Sequence, residues 1–415
     1  MAYKRFNVYK TMMVSSLVIW LALRYQQLPI QKETKLSLGY PQKSLMNFTE
    51  LANAYGYESE EHIVETEDGY LLTVFRMRAP GKERGTPTLL MHGLLQSADS
   101  FADAGPAAGL AYLLADAGHD LWLGNVRGNY YSRAHTRLQP EDTAFWNFCV
   151  DEIGRYDVPA MVDYVLQQTA TSKLNYIGYS QGAGAYIIMC SERPDYCNKA
   201  QVMIGLAPAA RQLNTSSRLY KLLTTTLMKM EWFLTSTGVV ELFSKGSLSQ
   251  EFVAFFCQLN HITDKLCATG MNMFDSVDSL HPGSVTNETT RTLFGHFPAG
   301  TSLHNMAWYG QVMNTDRYGK FDYGKERNLA LYGTAFPPDY NLTAVTVPVV
   351  AIYGRNDGLV DTKDVEWLLA RLPNVLEAVV VKDPRWNHLD VTYSQYTGEM
   401  IFPKINEYLL KYSSS

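Results

Sequence analysis

Gly178-Tyr179-Ser180-Gln181-Gly182 carries a serine hydroxyl at the G-x-S-x-G spacing. A sharp strand-to-helix turn with glycines on both sides allows close packing and leaves the hydroxyl projecting. Serine at its free pKa is a weak nucleophile, so acyl transfer there needs a base and a group to orient it. His388, in Trp386-Asn387-His388-Leu389-Asp390, follows the last strand-like run, where a loop at a strand end would bring it close. Asp357 closes Tyr353-Gly354-Arg355-Asn356-Asp357 after an apolar run and lies between serine and histidine, the chain order that accompanies this turn. Asp361 and Asp364 stand farther into the next segment. Asp357 would hold the imidazole tautomer and stabilise the imidazolium formed during attack. His92-Gly93-Leu94-Leu95 follows another strand-like run, so the backbone N–H groups of Leu94 and Gln181 are the expected oxyanion donors. Singly, each motif has a plain alternative: a glycine-rich turn, a loop histidine, a turn aspartate. With Gly and Ser each at roughly 7%, the serine motif arises by chance in about one chain of this length in seven, so its context must decide.

That context is a run of strands and helices able to hold three loops together. Residues 62–77 alternate around Glu67-Asp68-Gly69, the pattern of a hairpin with an Asp-Gly turn. Short apolar runs follow at 88–91, 120–123, 174–177, 202–206, 347–353 and 378–381, separated by helical patterns at 107–117 and 145–166 with a break at Pro159. Such alternation predicts an α/β fold with a mostly parallel central sheet and helices on both faces. The rhythm fails between residues 211 and 341, where helical patterns at 219–243 and 252–266 lack strands between them. This is read as an inserted helical cap, dividing a core of 40–210 and 342–412.

The chain has 415 residues, 46% hydrophobic and 19% charged, and a net charge of −5 without a basic stripe, which argues against nucleic acid as a partner. Lys4, Arg5 and Lys10 precede an apolar run at 12–23, the layout of a signal peptide over about the first 28 residues. As a helix that run reaches only about 18 Å against roughly 30 Å of hydrocarbon, so a stable transmembrane span is not expected. An uncleaved anchor or a core helix are the alternatives. Sequons at Asn47, Asn214, Asn287 and Asn341 fit passage through the secretory route. Of five cysteines, Cys257 and Cys267 are the favoured disulfide, contributing about 2–3 kcal/mol, while Cys149, Cys190 and Cys197 read as buried thiols. None has metal-ligand spacing, and no metal or cofactor is expected.

Thr66-Glu67-Asp68-Gly69-Tyr70, His92-Gly93-Leu94-Leu95, Leu114-Ala115-Asp116-Ala117-Gly118, Trp122-Leu123-Gly124-Asn125, Arg127-Gly128-Asn129, Asp151-Glu152, Tyr353-Gly354 with Asn356-Asp357, and Asn387-His388-Leu389-Asp390, in this order, resemble the acid lipase family of gastric and lysosomal lipases. The resemblance spans nearly all of the chain after its N-terminus. It implies an α/β-hydrolase core beneath a helical cap and activity on triacylglycerols or cholesteryl esters at a lipid-water interface. It also implies a secreted or lysosomal location, with serine, aspartate and histidine at Ser180, Asp357 and His388 and oxyanion donors at Leu94 and Gln181. Three positions depart from the family pattern: Tyr179 replaces the usual histidine, Met91 the usual glutamine, and Phe101 lies near a usual tryptophan. Two other readings stand beside the lipase: a non-catalytic lipid carrier on the same fold, and an esterase for small soluble esters. Aromatic residues of the insertion, Trp232, Phe233, Phe252, Phe255 and Phe256, favour a large apolar substrate unless they form the insertion's own core.

Overall fold

The computed structural model describes residues 30–82 and 85–413, so the expected leader lies outside the described residues. The strands are β1 (Glu58–Glu65), β2 (Tyr70–Arg78), β3 (Pro87–Met91), β4 (Asp120–Gly124), β5 (Ala134–His135), β6 (Leu174–Tyr179), β7 (Ala200–Leu206), β8 (Glu241–Leu242), β9 (Thr301–Ser302), β10 (Val349–Tyr353) and β11 (Val375–Val380). One sheet runs β1-β2-β4-β3-β6-β7-β10-β11, with β5 on β2, while β8 and β9 pair separately. β1, β2 and β5 are antiparallel, and the register from β4 to β11 is parallel. Gly69, at φ +100, closes the expected hairpin, with Thr66 donating to the carbonyl of Tyr70 at 2.8 Å.

Side chains alternate across each central strand because the strand period is two. Leu90, Leu121, Ile177, Ile204 and Ile352 share a core with Leu110 and Leu114 of α1 (Leu110–Asp116). Met91, Trp122, Tyr176 and Met203 share the opposite core with Val162 of α2 (Val158–Thr169) and Ile188 of α3 (Gln181–Glu192). Burial on both faces is why these strands read as continuous apolar runs. Each large aliphatic side chain so buried stabilises the fold by about 1.5–3 kcal/mol. Two expectations need correction here. The helix expected at 145–166 is interrupted by a wider turn at Ile153–Asp157, and Pro159 then sits in the first turn of α2, where its missing N–H costs nothing. Cys190 and Cys197 are not free thiols but a disulfide, because α3 ends at Glu192 and a short helix from Pro194 returns the chain beside it.

Between β7 and β10 the chain adds no strand to the main sheet. It forms α4 (Arg218–Ser236), α5 (Leu248–Gln258), α6 (His261–Asp275) and α7 (Leu303–Val312), among shorter turns. The single helix expected at 252–266 is two, because the Asn260 side chain accepts the N–H groups of Ile262 and Thr263 and starts a new helix. The Cys257–Cys267 disulfide ties α5 to α6 across that break. After β10, α8 (Thr362–Leu369) and α9 (Phe402–Lys411) complete the layers.

Candidate active site

Ser180 stands between β6 and α3 with φ 51 and ψ −116, a backbone conformation that costs energy and persists only when its surroundings enforce it. Here they do. The Ser180 N–H donates to Leu206 at 2.9 Å, and its carbonyl accepts from Ala183, Gly184 and Ala209 at 3.1, 3.1 and 3.2 Å. A Cβ on Gly178 would lie 2.5 Å from the Ala183 nitrogen, and one on Gly182 would lie 2.5 Å from the Met91 carbonyl oxygen. Both glycines of the motif are therefore demanded by close approach.

His388 Nδ1 lies 2.7 Å from Asp357 Oδ2, and both residues are buried. The other oxygen, Asp357 Oδ1, accepts the N–H groups of Leu359 and Val360 at 2.9 and 2.7 Å, so the carboxylate cannot rotate away. Asp361 instead caps α8, and Asp364 bonds Arg211 and Asn214. Ser180 and His388 line one cavity of about 420 Å³, together with Gly93, Leu94, Tyr179 and Gln96.

The turn that carries Leu94 is held by His92. The Val126 N–H donates to His92 Nε2 at 3.2 Å, so Nδ1 carries the proton and donates to the Gly93 carbonyl at 2.8 Å. Burial lowers the pKa of this imidazole to about 4, which keeps it neutral. Leu95 follows at φ +61, and its carbonyl accepts the Ala299 N–H at 2.7 Å. Among the described residues no acceptor bonds the N–H of Leu94 or of Gln181, which leaves two donors free beside Ser180. The Gln181 side chain is fixed by α7: its Oε1 accepts from Asn305 and Tyr309 at 2.9 and 3.2 Å.

Asp275, at the end of α6, carries no motif and went unmarked in the sequence. Its carboxylate accepts the N–H groups of His388 and Leu389, and its carbonyl accepts that of Gly358 at 2.6 Å. Burial first, then Asp357, push its pKa well up, against the pull of those two donors. Asn356 Oδ1 likewise accepts from Val277 and Asp278 at 3.1 and 3.0 Å. His281 bonds Asp390 at 2.8 Å, and His296 bonds Asp103 at 2.7 Å. The insertion thus grips the loops of all the candidate residues. Such contacts join residues far apart in sequence, so local patterning holds no trace of them.

The remaining cavity wall is apolar, with Leu219, Leu223, Val253, Met271, Phe274 and Phe294 from the insertion. Outside it, Trp232, Phe233 and Phe252 are 82%, 49% and 65% exposed and so are not core, whereas Phe256 is half-buried and packs against the cluster of Cys257, Leu293 and Phe294. Asn47, Asn287 and Asn341 are exposed, whereas Asn214 is half-buried and donates to Asp364. Cys149 is buried and unpaired. Among the described residues no helix is long and apolar enough to cross a membrane.

Residues 86–391 match the family described as "alpha/beta hydrolase fold", and residues 48–105 a "partial alpha/beta-hydrolase lipase region". The chain is 38% identical over 374 residues to "Lipase 1" of Drosophila melanogaster, covering 89% of this chain and 81% of that protein. It is 32% identical over 377 residues to the "Gastric triacylglycerol lipase" of Homo sapiens, covering 89% and 92%. In fold it is similar to a putative lipase from Sulfolobus solfataricus, with a TM-score of 0.58 at 13% identity, covering 86% of this chain and 94% of that one.

Proposed function

The chain belongs to the acid lipase family of α/β-hydrolases and hydrolyses carboxylic esters of lipids, and on that premise we propose that Ser180, His388 and Asp357 are its catalytic triad. The observation that carries this reading is the 2.7 Å contact between His388 and Asp357 in the cavity that Ser180 also lines. Ser180 Oγ attacks the ester carbonyl carbon while His388 Nε2 takes its proton, and Asp357 stabilises the resulting imidazolium. The carbonyl oxygen becomes an oxyanion and accepts the N–H groups of Leu94 and Gln181. The alcohol leaves with the proton from His388, and water, deprotonated by the same nitrogen, releases the fatty acid and restores Ser180. The substrate is a triacylglycerol or a cholesteryl ester, supported by the apolar wall of the cavity and, for the first, by the name of the gastric relative.

Residues 211–341 act as a cap over the 40–210 and 342–412 core, and residues 1–28 as a leader that directs the chain to secretion or the lysosomal lumen. Three exposed sequons and two disulfides support that route. The test compares secreted wild type with Ser180→Ala on emulsified triolein, cholesteryl oleate and a soluble short-chain ester. Ser180→Ala stays folded and loses about 10⁴-fold or more in turnover, and a fluorophosphonate labels Ser180 alone. Equal turnover by the variant, or labelling of another serine, would overturn the assignment, and no turnover by wild type would favour a lipid carrier.

A further inference from the structure

Asp357 holds one nitrogen of His388, and a single hydrogen bond leaves the imidazole free to rock about the line joining the two partners. A second side chain limits that motion. Tyr179 is 1% exposed, and its ring faces that of His388 with centroids 4.9 Å apart and planes inclined by 35°. Its hydroxyl donates to the main-chain carbonyl of His388 at 3.0 Å. The same ring closes against the turn before Leu94: a Cβ on Gly93 would lie 3.0 Å from Tyr179 Cε1. Phe101 stands nearly perpendicular to it, with centroids 6.5 Å apart.

We propose that Tyr179 is a positioning residue for His388, setting the tilt of the imidazole through its ring and the height of the histidine loop through its hydroxyl. This rests on the reading of His388 as the catalytic base. One side chain, adjacent to Ser180 in the chain, thereby spans the turn that offers the Leu94 N–H and the loop that offers the base. The groups around that imidazole are Asp357 on Nδ1, Asp275 on the main-chain N–H and Tyr179 on the ring face. An aromatic face carries the negative part of its quadrupole, so it also favours the imidazolium present after Ser180 has given up its proton. A histidine at this position could supply a ring but would lack a hydroxyl at the same reach.

Tyr179→Phe and Tyr179→Leu test this on a soluble short-chain ester, which takes lipid interfaces out of the measurement, with active sites counted by fluorophosphonate. Tyr179→Phe keeps the ring and loses one hydrogen bond, so kcat falls roughly 3- to 10-fold. Tyr179→Leu loses both, and kcat falls on the order of 100-fold with KM unchanged. The downfield proton NMR resonance of His388 Nδ1–H reports the geometry directly: sharp in wild type, shifted in Tyr179→Phe, broadened away in Tyr179→Leu. A Tyr179→Leu protein with wild-type kcat per titrated site and an unchanged resonance would overturn the proposal, even with a lowered Tm. So would losses that merely follow the unfolded fraction in both variants. A wild type inert on every ester would instead sink the functional reading, and the resonance would still decide whether Tyr179 sets the imidazole.

Discussion

The Asp275 carboxylate accepts the main-chain N–H groups of His388 and Leu389, at 3.2 and 2.7 Å. A carboxylate supplied by the insertion therefore fixes the backbone of the candidate base, while Asp357 fixes its ring. Asp275→Ala leaves the buried N–H of His388 and the half-buried N–H of Leu389 without acceptors, and a buried loss of this kind costs about 1–3 kcal/mol. Stability measured by urea unfolding should drop accordingly, and kcat on a soluble ester should fall roughly 100-fold through misplacement of the imidazole. Asp275→Asn keeps one acceptor and should lie between. Wild-type kcat in a folded Asp275→Ala protein would show that the histidine loop holds itself.

His281 sets a dependence on pH. Its hydrogen bond with Asp390 comes first among the causes that raise its pKa above the ordinary 6.5, and Asp383, 3.2 Å from Nε2, adds to it. A raised histidine pKa contributes stability that is fully present below 6.5 and is lost as pH rises through the folded-state value. His296 acts in the same sense: burial opposes its charge, but Asp103 outweighs burial and raises its pKa. Thermal unfolding followed between about pH 5 and 8 should show Tm falling toward the alkaline end. His281→Gln should flatten that fall in part. A slope unchanged by the substitution would place the titrating group elsewhere.

Trp232 and Phe233 lie on α4, the first largely and the second about half in solvent. An exposed apolar patch of this kind suits contact with a lipid surface. Replacing both with Ser should lower hydrolysis of emulsified triolein about tenfold while leaving a short-chain ester in solution nearly untouched. Equal losses on the two substrates would mean that these rings support the cap and do not meet lipid.

At the serine turn, Gly182→Ala brings a Cβ against the carbonyls of Met91 and His92, at 2.5 and 2.8 Å. Relief requires β3 or α3 to shift, at a cost of about 1–3 kcal/mol. Because the shift separates Leu94 from Gln181, activity should fall further than stability does. Paired measurements of Tm and fluorophosphonate labelling rate on Gly182→Ala test this, and a labelling rate equal to wild type would refute it.

What could be read from the sequence had a local cause. Central strands such as β6 and β7 are apolar on both faces and stand out by composition, and Gly178 and Gly182 mark a turn that no larger residue can make. The spacing of Asp357 and His388 was legible because each ends a run that follows a strand. Asp275 was not, since its partners are main-chain N–H groups more than 110 residues away. The break at Asn260 was hidden by apolar residues that continue on both sides, although its side chain is a strong helix start. Cys190 and Cys197 looked inert because Pro194 marks the end of α3 without showing that the next short helix brings the two sulfurs together. Tyr179 could be seen to depart from the family pattern, but its contact with His388 could not.

The attachment of the insertion through Asp275, Asn356 and His281 bears on protein engineering. Trimming residues between β7 and β10 to obtain a minimal, permanently open esterase would excise the support of the histidine loop along with its cover. The truncated product would also lose the Ala209 and Asn305 contacts that hold the serine turn, and would be inert. A workable miniaturisation has to stop short of the C-terminal end of α6, removing at most the exposed stretch of α4 while leaving Asp275 in place.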